Sequence, residues 1–146
     1  MNQRNYAQEL DTHAVQSALT FAGASLQAMC HGLANDAGWW KDLETGEDVR
    51  TWPQKFQTIW VMAKLALVHT EVSEGVEGFR KGKMDDKLPH RPMLEVELAD
   101  AIIRIFDLAG GLKLDVPGAI VEKLRFNTLR PDHKPENRQA DGGKSV

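Results

Sequence analysis

Five carboxylates stand at helical spacing in two separate stretches of this chain. In "HTEVSEGVEGFR", Glu71, Glu74 and Glu77 recur at every third residue, and in "EVELADAIIRIFDLA", Glu97 is followed three residues later by Asp100. On an α-helix, residues three apart lie about 60° from one another and their side chains are neighbours. Glu71 and Glu74 therefore project together, as do Glu97 and Asp100, with Glu77 further round. Two antiparallel helices joined by a short connection can bring these pairs together. Four unpaired carboxylates at close range repel strongly, so the cluster persists only with positive charge inside it. Neither pair carries a histidine three residues on, which separates the pattern from the Glu-x-x-His ligands of di-iron bundles. A donor set made only of oxygen suits a hard cation, Mg²⁺ with Mn²⁺ as a possible substitute. Mg²⁺ keeps positions open for water and substrate phosphate, and the chemistry indicated is phosphate chemistry.

Each stretch has a plainer reading when taken alone. Glu97, Asp100, Arg104 and Asp107 form one narrow polar stripe on an otherwise apolar helix. A solvated face with an exposed Asp100–Arg104 ion pair would look the same and would contribute little. Lys64 lies seven residues before Glu71, on nearly the same side of its helix. A second group of residues is suited to a base: Trp39, Trp40, Trp52, Phe56 and Trp60 cluster around one connection. Aromatic side chains there can stack a base, or can simply be core. His31, Asn35 and His69 are polar groups on mainly apolar helices that can read a base edge or serve as satisfied structural residues.

These residues need helices to position them, and the pattern predicts an all-α chain. Leu10, Ala14, Ala18, Phe21, Ala22, Ser25, Met29 and Leu33 keep a three-to-four spacing that predicts one long helix over about Ala7 to Asn35. "GWW" and the polar "KDLETGEDVRT" interrupt it. Trp52-Pro53 opens a second helix that runs to about Arg80, and "KGKMDDKLPHRP" ends it. A third covers roughly Met93 to Ala109 and stops at Gly110-Gly111. Asp115 caps a fourth, "DVPGAIVEKLRFNTLR", with Pro117 in its first turn. The second and third helices are apolar around more of their circumference than one thin layer covers, which predicts a homodimer or homotetramer.

At 146 residues the chain suits one domain over residues 1–130 with a polar tail over 131–146. Its 42% hydrophobic and 27% charged residues are those of an ordinary globular protein, and a net charge of −3 argues against general nucleic-acid binding. No segment reads as a signal peptide or a membrane span, so a cytoplasmic location without a membrane partner is expected. The single cysteine, Cys30, sits in an apolar helical pattern and reads as a small core residue.

The ordered combination "EVSE" then "ELAD" resembles the ExxE…ExxD signature of the all-α nucleoside triphosphate pyrophosphohydrolases, the superfamily of the MazG-like proteins, dCTP pyrophosphatases and dimeric dUTPases. "KLRFNTLRP" resembles that family's Lys…Asn…Arg segment, on Lys123, Asn127 and Arg130. "HGLANDAGWW", "LALVHTEVSEGVEGFR", "KLPHRPMLEVELADAIIRIFDLAG" and "GGKSV" look like a MazG-like branch, so the resemblance covers most of the chain. It implies a four-to-five-helix bundle completed by oligomerisation, with Mg²⁺ held by Glu71, Glu74, Glu97 and Asp100. It implies hydrolysis of (deoxy)nucleoside triphosphates to monophosphate and pyrophosphate, as in clearing unwanted nucleotides. Glu71 or Glu74 would orient the attacking water as general base. Lys123, Asn127 and Arg130 would meet the departing pyrophosphate, and Trp39, Trp40, Trp52, His31 and Asn35 would hold the base. The tail "DHKPENRQADGGKSV" keeps only parts of the family's basic segment, at His133, Lys134 and Lys144. The competing expectation is a non-catalytic helical module that binds nucleotide or assembles, using the acids structurally.

Overall fold

The computed structural model describes residues 5–139 and is all-α, with no strand among those residues. Its helices are α1 (Tyr6–Leu10), α2 (His13–Asp36), α3 (Gln54–Lys81), α4 (Met93–Gly111), α5 (Val116–Leu129) and α6 (Pro135–Arg138). Single 3-10 turns lie at Val49–Thr51 and Pro131–His133. No helix among the described residues is long and apolar enough to cross a membrane. The chain divides into two compact units, one spanning Leu26–Leu114 and the other taking the residues on either side of it.

The flanking unit contains α1, the first turns of α2, and α5. The long first helix expected from periodicity is broken at Asp11 and Thr12. The Thr12 hydroxyl donates to the Glu9 carbonyl at 2.7 Å and accepts from the Val15 amide at 3.4 Å. A short polar side chain that bonds its own backbone in this way ends one helix and caps the next, and hydrophobic periodicity does not register it. Asp115 caps α5 by accepting from the Gly118 amide at 2.9 Å, with Pro117 buried in the first turn.

The central unit is organised by the α3–α4 hairpin. Passing back along α3 from Gly78 through Gly75 and Glu71 to Lys64, the partners advance along α4 from Met93 through Glu97 and Arg104 to Asp107. The two helices are therefore antiparallel. Gly78 permits their close approach, because a Cβ there would lie 2.8 Å from the Met93 side chain. A core forms beside the hairpin from Trp40, Val49 and Leu108, with Trp52, Trp60, Val61 and Leu112 packed around it. Gly111 is required there, since a Cβ would overlap the Trp40 indole. Cys30 is buried and free, as a core thiol.

Candidate metal centre and adjoining cavities

The acids of the two helices meet. Oxygens of Glu71, Glu97 and Asp100 lie within 4.8 Å of one another, an arrangement that can hold a metal ion. Glu71 and Glu97 are buried, at 5% and 6% exposure, while Asp100 is half-buried and Glu74 exposed. The i, i+3 spacing turns each pair towards the seam, and the antiparallel register sets the pairs opposite each other. All four line one cavity of about 720 Å³. Glu77 instead pairs with Arg80 and Lys81 on the outside of α3.

The cluster is electrostatically frustrated. Burial pushes the Glu97 carboxyl up to about 7, helped by a hydrogen bond with Glu71 and by the charges of Glu74, Glu71 and Asp100. The cation in direct contact is Arg104, whose Nε donates to Glu71 Oε1 at 2.5 Å. The Asp100–Arg104 pair of the plainer reading, on a solvated face, does not form. Arg104 reaches across to the other helix, and the stripe faces protein at Glu97 and Asp107. An oxygen-only donor set beside an open cavity has the chemistry of a hard-cation site.

One turn beyond Arg104 lies a second network, which the sequence pattern only hinted at. Buried Asp107 accepts at Oδ1 from Trp40 Nε1 (2.6 Å), faces His31 Nδ1 (3.1 Å), and accepts at Oδ2 from Lys64 Nζ (2.7 Å). Burial raises its pKa, but hydrogen bonds from Lys64, Trp40 and His31 outweigh that and hold it below the ordinary value. Arg50 extends the network, donating to Asn35 Oδ1 at 2.9 Å and to Asp48, with its guanidinium 5.3 Å from the Trp40 ring centroid. Asp107 was visible as the end of a polar stripe. Arg50 lies in an irregular connection, where no periodicity marks it.

This network decides the aromatic set. Trp40 is core, 1% exposed, with Lys64 Nζ 4.4 Å from its ring centroid, so no ring face is open to a base. His31 and Asn35 are engaged by Asp107 and Arg50. Trp52 is half-buried, stacks edge-on against Trp60 and bonds Glu47. Trp39, by contrast, is 69% exposed. It lines a smaller cavity of about 290 Å³ together with Ala34, Lys64, Leu67, Ile103 and Asp107. Asp100 and Arg104 border both cavities.

The expected phosphate-binding trio belongs to the flanking unit. Lys123 Nζ lies 4.6 Å from the Phe126 ring centroid. The Asn127 Oδ1 atom is buried without a partner among the described residues. Arg130 follows the end of α5 in extended backbone and grips Asp132 through Nε (2.9 Å) and Nη2 (2.5 Å). The fourth helix, expected to run through Arg130, therefore stops one residue short of it. Lys144 and the "GGKSV" stretch lie outside the described residues.

Compared with protein-family models, with curated proteins and with solved structures, the chain gives no match.

Proposed function

We propose that this chain is a Mg²⁺-dependent pyrophosphohydrolase of nucleoside triphosphates, the activity its resemblance to MazG-like proteins implies. The observation that supports this most is the meeting of Glu71, Glu97 and Asp100 across the hairpin, with two of the three buried. Burying like charges at this range is costly unless a cation belongs there. When bound, such a cation supplies charge neutralisation and Lewis acidity at the phosphate.

The chain's own residues divide the remaining work. Glu71, Glu97 and Asp100 form the cation-holding set. Glu74 lines the same cavity, is exposed, and makes no ion pair among the described residues, whereas Glu71 is gripped by Arg104. Glu74 is therefore the better placed of the two to accept the proton of an attacking water. Trp39 offers the open aromatic surface for a base, next to the half of the cavity bordered by Arg104.

A non-catalytic module is the second reading, and the Arg104–Glu71 pair is the observation that favours it, since an internal cation already offsets part of the acid charge. One experiment separates them. Purified protein is given a panel of nucleoside triphosphates with Mg²⁺, and products are resolved. Monophosphate plus pyrophosphate, abolished by a chelator, is the expected result. Diphosphate plus phosphate, or no product from any triphosphate, overturns the proposal.

A further inference from the structure

The cavity over the acids is also lined by two lysines. The connection between α3 and α4 lines it with Lys83, Asp85, Asp86 and Lys87, together with Glu71, Glu74 and Glu97 of the helices. This loop is tied down along its length. The Lys83 amide donates to the Gly78 carbonyl and the Met93 amide to the Lys83 carbonyl, each at 3.0 Å. The Asp85 amide donates to the Arg91 carbonyl at 3.0 Å, and buried Asp85 accepts from the amides of Lys87 (3.0 Å) and Leu88 (2.6 Å). Both lysine stems therefore start from held backbone.

Their neighbours sharpen the contrast. Arg80 and Lys81 are taken by Glu77, and Arg91 by Glu95. Lys83 and Lys87 make no ion pair or side-chain hydrogen bond among the described residues, although acids are close at hand. Two ammonium groups held in no direct ion pair, on a cavity wall, can turn to a polyanion that brings its own negative charge. Lysine suits that task, being a compact point charge on a flexible stem that can follow a phosphate as it moves.

The two cavities also define a direction. The aromatic one, with Trp39, adjoins the charged one at Asp100 and Arg104, far along α4 from the loop. Arg104 lies eleven residues after Met93, about 16 Å along the helix axis at 1.5 Å per residue. The acids lie between these ends.

We propose, on the hydrolase reading above, that Lys83 and Lys87 bind the pyrophosphate end of the substrate while its nucleoside points towards Trp39. In the reaction a water oxygen bonds to the α-phosphorus and the bond from that phosphorus to the α–β bridging oxygen breaks. The bridging oxygen leaves with the electron pair as part of pyrophosphate, and the water's proton passes to Glu74. The lysine ammonium groups stabilise the charge that gathers on the leaving pyrophosphate.

The test compares wild type with Lys83→Ala, Lys87→Ala, the double variant and the double Lys→Arg variant, by product inhibition and by calorimetry with inorganic pyrophosphate and Mn²⁺. In the double alanine variant, pyrophosphate should bind and inhibit about 10-fold more weakly, with inhibition by nucleoside monophosphate unchanged and the arginine variant largely restored. Unchanged pyrophosphate binding, or equal loss for both products, overturns the assignment. If wild type hydrolyses no triphosphate, the hydrolase reading fails, and the calorimetry still decides on the lysines. Wild type that does not bind pyrophosphate, or binds it no better than the double alanine variant, rejects them.

Discussion

Arg104 on α4 donates to Glu71 on α3 at 2.5 Å, with the arginine side chain 41% exposed and the carboxylate side chain 7% exposed. A buried acid whose counter-ion is half in solvent is poised to exchange partners. Removing Arg104 should therefore cost the metal-free protein about 1–2 kcal/mol, below the range for a fully buried pair because of its exposure. Mn²⁺ should raise the melting temperature of Arg104→Ala more than that of wild type. An equal rise in both proteins would show that the cation and Arg104 do not compete for Glu71.

Replacing the acids by their amides separates their roles. Glu74→Gln should lower turnover by about 10²-fold with cation affinity largely kept, the scale of a lost general base. Glu97→Gln and Asp100→Asn should weaken Mn²⁺ binding, as read by calorimetry. Folded amide variants with full activity would remove the proposed site.

Glu97 sets a pH dependence with a definite sign. Its pKa is raised from 4.5 to about 7 by burial and by the neighbouring carboxylates. Between those values the folded protein holds a proton that the unfolded chain releases, so the metal-free protein should lose stability as pH rises from 4.5 to 7. Asp107, with a depressed pKa, acts in the opposite sense, and its contribution fades as pH falls below the ordinary carboxylate range. Denaturant midpoints across pH 4.5–7 should decline in wild type and be nearly flat in Glu97→Gln. Cation affinity should rise over the same interval, because the ion must displace that proton.

The tryptophans should part company. Trp40→Ala opens the core and should cost about 3–5 kcal/mol. Asp107→Asn leaves the Lys64 ammonium without its counter-charge and should cost about 3 kcal/mol. Trp39→Ala, at an exposed position, should change stability by less than about 0.5 kcal/mol yet raise KM more than it lowers kcat, since stacking is made equally in ground and transition states. Unfolding curves and Michaelis profiles of the three variants check this, and an unchanged KM for Trp39→Ala would place base recognition elsewhere.

On α3, Met62, Leu65, Val72, Val76 and Phe79 are exposed and recur at three-, four- and seven-residue steps, with His69 filling the gap. Such a seam matches the spacing at which one helix meets another. The chain should form a homodimer or homotetramer at micromolar concentration by light scattering, and Val76→Glu should shift it towards monomer. A wild-type monomer with intact activity would contradict the assembly.

Much of this was legible in one dimension. The all-α class, the starts of α3, α4 and α5, and the pairing of acids on each helix follow from period, caps and prolines, which are local properties of a chain. By contrast, α4 runs on through Gly110 and Gly111 and α5 ends before Arg130. The i, i+3 spacing of Glu71 with Glu74 and of Glu97 with Asp100 already determined which side chains share a face. What spacing cannot specify is which residue lies opposite on another helix. The antiparallel register gave Arg104 to Glu71 instead of Asp100, and gave Asp107 to Lys64, Trp40 and His31. Burial is decided at the same level: adjacent tryptophans, Trp39 and Trp40, look alike in sequence, yet the connection turns one outward and sets the other over Gly111. The lysine-bearing loop belongs there too, because its backbone bonds join the end of α3 to the start of α4. The break at Thr12, by contrast, is local and was missed only because side-chain-to-backbone bonds leave no trace in hydrophobic periodicity.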